Sequence, residues 1–229
     1  MGIHSALEDR FAHIVVFDTE TTGIEPTEEE IIEIGAVSVS DGAEDDSCNV
    51  LIRLTEGRSL PPFITQLTGI TPEQLAREGV GKAEAVDQLC RLLERENTLL
   101  VAYNAQFDLN FLYYLLKSHR RTACLKDLKY LDALTVYKDR RDYPHKLKDA
   151  ITAYGLDDAV QNSHRAVDDA RATVALLWAM AEEKDDLLEY LNLFGYNPKY
   201  GVSGKRISCM EYAAQSYRRD MPLYEKPRG

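Results

Sequence analysis

Residues 13–23, His13-Ile14-Val15-Val16-Phe17-Asp18-Thr19-Glu20-Thr21-Thr22-Gly23, set the terms for the rest of the chain. Ile14 to Phe17 is a β-rich run, and Gly23 followed by Pro26 marks an exit into a turn. Asp18 and Glu20 are two residues apart, so in an extended chain both carboxylates leave the same face. Paired acids at the end of an apolar strand repel one another and resist burial. A hard divalent cation between them removes both costs, and oxygen ligands are what Mg²⁺ and Mn²⁺ take. A solvated strand end is the competing explanation from spacing alone.

The later acids decide how that pair is read. Thr98-Leu99-Leu100-Val101-Ala102-Tyr103 is a short apolar strand, and a helix begins near Asn104. In that helix Asp108, Leu112 and Leu115 fall at i, i+4 and i+7, so an acid lies on the apolar side and needs a partner. Near the other end of the chain, Asn162 or Ser163 is expected to cap a helix running to about Glu183, striped by Val167, Ala170, Val174, Leu177 and Ala181. His164 and Asp169 are five apart, which separates them around a helix. They fit one site if His164 lies in the loop or first turn while Asp169 projects inward.

Between these points, Ile31 to Ser40 and Val50 to Leu54 read as strands. Their short connections favour antiparallel pairing with the first strand. Thr71 is a natural N-cap with Pro72 at the first helical position, and Lys82 to Glu96 forms a longer amphipathic helix. Leu125 to Leu134 is expected as a short strand with Asp132 near its end. A polar turn follows over Asp139–Pro144, then a helix over Lys146–Tyr154. Residues 1–184 read as one domain, and 185–229 as an aromatic and basic extension packed on that domain.

Composition narrows the partners. With 27 Lys and Arg against 38 Asp and Glu, the net charge of −11 argues against an extended non-specific nucleic-acid binder. Lys117 to Lys148 is locally basic, which suits a small anionic footprint such as one strand end. Within it Lys146 and Lys148 are candidate phosphate contacts, with a solvated basic face as the competing explanation. No run of 18 apolar residues exists, and Met1 to Phe11 lacks a hydrophobic signal core, so no membrane association and a cytoplasmic location are expected. Cys48, Cys90, Cys124 and Cys209 are far apart and read as buried thiols of a reducing compartment.

Three segments together resemble a known family. Phe17 to Gly23, Asn104-Ala105-Gln106-Phe107-Asp108-Leu109-Asn110-Phe111-Leu112 and His164-Arg165-Ala166-Val167-Asp168-Asp169-Ala170 look like the three motifs of the DEDDh 3′–5′ exonucleases. This is the superfamily of the proofreading epsilon subunits of DNA polymerase III. The order matches, as does the His-x-Ala-x-x-Asp spacing, and the likeness covers about residues 11–183.

The resemblance implies a ribonuclease-H-like α/β fold, a central mixed five-stranded sheet flanked by helices. It implies that Asp18, Glu20, Asp108 and Asp169 bind two Mg²⁺, for which Mn²⁺ substitutes, and that His164 is the general base. The +5 spacing from His164 selects Asp169 over Asp168. Thr21, Thr22, Leu67, Thr68, Asn104 and Phe107 become candidates for holding the terminal nucleotide. The expected reaction is metal-dependent release of 5′-mononucleotides from the 3′ end of single-stranded nucleic acid, DNA in preference to RNA. A polymerase or repair protein is the expected partner. An RNA-trimming exonuclease is the alternative within the family, and a non-catalytic nucleic-acid-binding module the alternative outside it.

Overall fold

The computed structural model describes residues 5–160, 163–193, 207, 209–212 and 221–225. Five strands form one sheet: β1 (His13–Thr21), β2 (Ile31–Ser40), β3 (Ala43–Leu51), β4 (Thr98–Ala102) and β5 (Lys129–Asp132), in the order β3-β2-β1-β4-β5. The hairpin-connected strands β1, β2 and β3 pair antiparallel, whereas β4 pairs parallel to β1 and to β5. Parallel neighbours need crossovers, and the intervening helices supply them. The helices are α1 (Ala6–Arg10), α2 (Pro62–Thr68), α3 (Pro72–Glu78), α4 (Lys82–Leu93), α5 (Ala105–Ser118), α6 (Ala133–Arg140), α7 (Leu147–Ala153) and α8 (Ala166–Glu183), of which α2–α4 lie between β3 and β4 and α5 between β4 and β5. The mixed five-stranded α/β sheet read from the family resemblance is the sheet observed.

Strand alternation divides the core in two. Val15 and Phe17 of β1, Ile34 and Ala36 of β2, and Leu100 of β4 face a layer containing Leu89 of α4 and Leu109 and Leu112 of α5. Ile14 and Val16, Val37, and Leu99 and Val101 face the opposite layer, built on Leu176, Leu177 and Met180 of α8 with Val136 of α6. Each fully buried Leu, Ile or Val side chain contributes about 1.5–3 kcal/mol. The central strands are therefore pinned in register from both sides. A smaller cluster of Ile32, Leu51, Leu60, Ile64, Ile70 and Leu75 anchors α2 and α3 beside the β2 end of the sheet.

Several expected boundaries shift. β3 begins at Ala43, well before Val50, because its acid-rich first half lies on the sheet edge, where exposed side chains meet water. β5 is only Lys129–Asp132, since Thr122–Leu125 winds into a 3₁₀ turn and Asp132 already caps α6 by accepting from the Leu134 amide. α6 therefore occupies residues 133–140, which include the start of the polar turn read over Asp139–Pro144. Thr71 does cap α3, accepting from the Gln74 amide at 3.1 Å. All four cysteines are unbridged; Cys48, Cys90 and Cys124 are buried as expected, whereas Cys209 is only half-buried. Most of the 185–229 extension lies outside the described residues. Of its described parts, Ile207 and Met210 enter the α5-side core, and Leu223 and Tyr224 pack on the α8-side layer. Among the described residues, no helix is long and apolar enough to cross a membrane.

Candidate active site

The alternation that builds the core also aims the acids. Asp18 and Glu20 continue the Ile14, Val16 face of β1 toward α8, and Thr19 continues the Val15, Phe17 face toward α5. Carboxylate oxygens of Asp18, Glu20 and Asp169 come within 4.8 Å of one another. Two are contributed by one strand and the third by the first turn of α8, 149 residues later in the chain.

How α8 reaches the strand is decided by two residues of β2 that the sequence reading passed over. Gly35 pairs with Asp18 in register. A Cβ on Gly35 would lie 2.1 Å from the Val167 amide nitrogen and 2.2 Å from the Ala166 carbonyl carbon, so only glycine lets the helix backbone lie against the sheet. Glu33 pairs with Glu20 and is fully buried. Its carboxylate accepts from the Arg165 guanidinium through Nε (3.0 Å) and Nη2 (2.5 Å), and from the Ala166 amide (2.9 Å). The expected side-chain cap by Asn162 or Ser163 is thus replaced by an acid from the sheet. Asn162 lies outside the described residues, and the Ser163 hydroxyl donates to Asp168 at 2.6 Å. Arg165 occupies the N-cap position without capping through its own side chain. That division turns Asp168 toward the loop, while Asp169 lies in the acid cluster. The only sequence signal for Glu33 was an acid interrupting the apolar run Ile31–Ile34.

His164 immediately precedes this clamp, exposed, in the left-handed backbone region with φ +56°. Asp108 approaches from the other side of the sheet. Its Oδ1 accepts from both the amide (3.0 Å) and the hydroxyl (2.6 Å) of Thr19, which ties the first turn of α5 to β1 between Asp18 and Glu20. The Asn104 side chain does not cap α5. Instead Asp132 accepts from the Asn104 and Ala105 amides and from the Thr135 hydroxyl. Asp132 thus closes the N-termini of α5 and α6 together.

The electrostatics are those of a site short of positive charge. Burial, and then the negative charges of Asp108, Glu20 and Asp169, hold the Asp18 carboxyl far above the usual range. Burial, then Asp169 and Glu33, push Glu20 to about 8 despite Arg165 nearby. Burial lifts Asp108 to about 7 against the two hydrogen bonds from Thr19. Clustered carboxylates of this kind, half-buried at Asp18 and Glu20 and buried at Asp108 and Asp169, are a hard donor set that fits a divalent cation.

The remaining candidates are dispersed in role. The Thr21 hydroxyl donates to the Gly23 carbonyl, and Thr22 bonds Glu29 and the Glu30 amide, so both are occupied in shaping the loop after β1. Thr68 is buried, its hydroxyl donating to the Ile64 carbonyl and accepting from the Ile70 amide. Leu67 is half exposed on α2, Asn104 is exposed in left-handed geometry, and Phe107 packs on Phe111 at 5.0 Å between centroids. Trp178 borders the α8-side core.

Residues 15–177 match the RNase_T exonuclease family. The chain belongs to that family. Within the RNase_T family its relatives include the PolC-type DNA polymerase III of Clostridium perfringens. That protein is 33% identical over 202 residues, 87% of this chain but only 13% of the polymerase. They also include the epsilon subunit of DNA polymerase III from Treponema pallidum, 31% identical over 170 residues, 72% of this chain and 74% of that subunit. The likeness to DEDDh 3′–5′ exonucleases read from the three motifs is therefore upheld. E. coli Exonuclease I in complex with a dT13 oligonucleotide superimposes with a TM-score of 0.67 at 19% identity, over 78% of this chain and 43% of that one, and so shares the fold.

Proposed function

We propose that this RNase_T exonuclease domain removes 5′-mononucleotides from the 3′ end of single-stranded DNA by metal-dependent hydrolysis. The single observation that carries this reading is the convergence of Asp18, Glu20 and Asp169 within 4.8 Å, beside the loop that carries His164. Asp18, Glu20, Asp108 and Asp169 are the residues that would hold two divalent cations. Such ions, when bound, supply positive charge for the attacking and leaving oxygens of an in-line displacement.

The chain's own groups provide the rest. His164 takes a proton from the water that attacks phosphorus, histidine being the side chain that exchanges protons near neutral pH. The bond from phosphorus to the 3′-oxygen breaks, that oxygen takes a proton from solvent water so that the shortened strand keeps a 3′-hydroxyl, and the terminal nucleotide departs with its 5′-phosphate. Thr19 fixes Asp108, and Glu33 fixes Arg165 and hence the loop bearing His164. The left-handed backbone at His164 lets the chain turn sharply into α8. Leu67 and Phe107 supply apolar contact for the terminal base, and the exposed Asn104 supplies polar contact.

DNA is favoured over RNA because the relatives are named as DNA polymerase components and the fold neighbour holds a dT13 oligonucleotide. The same names make a polymerase the favoured partner of the domain. The test is turnover of matched 5′-labelled single-stranded DNA and RNA with Mg²⁺, with Mn²⁺ and with EDTA. A DNA ladder shortening from the 3′ end only with metal is the expected result. Faster RNA turnover would reassign the substrate, and no turnover of either strand would remove the enzymatic reading.

A further inference from the structure

The loop joining α6 to α7 has a chemistry that the acid site does not use. Tyr143 stands out at 82% exposure, among the most exposed large hydrophobic side chains described. Its surroundings are nonetheless fixed. The Tyr143 ring meets His145 edge-on at 5.9 Å, and His145 Nε2 bonds the Arg141 carbonyl at 3.0 Å. Arg141 itself is spent on Glu183 at 2.6 Å and on the Tyr154 ring at 4.9 Å. Lys146 and Lys148 follow, both exposed and without an ion-pair partner among the described residues. The loop's arginine is neutralised internally, and its lysines face water beside an aromatic ring.

The loop is also joined to the acid site. The His145 carbonyl accepts from the Tyr103 hydroxyl at 2.8 Å. Tyr103 directly follows β4, and the parallel register Val16↔Val101 places it level with Asp18. The segment that carries the ring and the two lysines is therefore joined, through His145, to the end of the sheet where the carboxylates converge, on the α8 side, to which Tyr103 contributes its ring.

We propose that residues 143–148 form a perch for the strand just upstream of the terminal nucleotide, with a base stacked on Tyr143 and phosphates facing Lys146 and Lys148. The inference rests on the exonuclease reading above and adds to it a second contact region. A base–aromatic stack tolerates any sequence because every base has a π-face, and lysines neutralise phosphates without reading bases. An acidic protein can hold an anionic strand this way, through exposed lysines that make no ion pair among the described residues, with Asp142 and Asp149, whose carboxylate accepts from the Lys146 amide, as the acids on the same stretch.

The test compares wild type with Tyr143→Ala, Tyr143→Phe and the double variant Lys146→Ala/Lys148→Ala on a 12-nucleotide strand and on a dinucleotide too short to span the perch. Tyr143→Ala is expected to raise KM for the 12-mer about tenfold relative to the dinucleotide, with kcat little changed. Tyr143→Phe should restore it, and the double lysine variant should flatten the salt dependence of KM. Equal losses on both substrates would make Tyr143 a folding residue and overturn the perch. Unchanged kinetics on both would overturn it too, leaving the ring to a protein partner. If wild type degraded neither substrate, the exonuclease reading would fall. The perch would still be tested by binding of a fluorescent 12-mer in EDTA, where equal affinity of wild type and Tyr143→Ala overturns it and weaker binding by the variant supports it.

Discussion

Glu33 accepts at Oε1 from both Nη2 and Nε of Arg165, with Nε also 3.2 Å from Oε2, and at Oε2 from the adjoining Ala166 amide, from a position with no solvent exposure. A strand acid thereby sets where α8 begins, with His164 on one side of the clamp and Asp169 on the other. Arg165→Ala would leave Glu33 buried and unpaired. Because about a third of the Arg165 side chain is exposed, the cost should fall below that of a fully buried pair, at about 2 kcal/mol. Arg165→Lys keeps the charge but loses the fork, so it should recover part of the stability and less of kcat. Urea melts and steady-state kinetics of both variants measure the two effects.

Gly35→Ala should be worse than its size suggests. The added methyl would meet helix backbone at 2.1–2.2 Å, and no side-chain rotation relieves that contact. The helix must withdraw, carrying Asp169 away from Asp18 and Glu20. A loss of about 3 kcal/mol or more is expected, with weaker stabilisation by Mg²⁺ in thermal melts of whatever variant folds.

Asp18→Asn separates metal binding from folding. In EDTA near neutral pH the variant should melt higher than wild type, since folding forces the Asp18 carboxyl either to take up a proton or to hold its charge beside other acids, and the amide does neither. In Mg²⁺ the wild type should gain stability and the variant little or none. Differential scanning fluorimetry with and without metal decides it, and an equal Mg²⁺ shift in both proteins would take Asp18 out of the ion's coordination.

The pH dependence of the metal-free domain follows from Glu20. Below its ordinary value of 4.5 the group is protonated whether the chain is folded or not. Between 4.5 and about 8 the folded chain retains a proton that the unfolded chain releases. Stability is therefore lost as pH rises through that window. The melting-temperature advantage of Glu20→Gln over wild type in EDTA should accordingly grow from pH 5 to pH 8 and shrink when Mg²⁺ is added.

His164→Ala should lower kcat by about 10²–10⁴-fold, the range for a lost general base. The Mg²⁺-induced rise in melting temperature should persist, because His164 is exposed and lies outside the carboxylate cluster. Parallel kinetics and melts check both halves, and wild-type kcat in the variant would remove His164 from the reaction.

What the sequence determined by itself is the part that local periodicity encodes. The apolar run before Asp18 and Glu20, the two-residue spacing that puts both on one face, and the acid within the apolar stripe of α5 were all readable, as were most of the strands and helices. The order of the three motifs carried the family and, through it, the sheet. Tertiary structure alone decided which amides and cations the other acids would meet. Glu33 looked like an interruption in a strand, and Asp132 like a strand end, yet one fixes α8 and the other closes the N-termini of α5 and α6. Asn162 and Ser163 were equally reasonable caps in the sequence. A helix amide takes whichever oxygen the fold brings to it, and a carboxylate 133 residues away reached Ala166 because Gly35 let the helix backbone rest on the sheet.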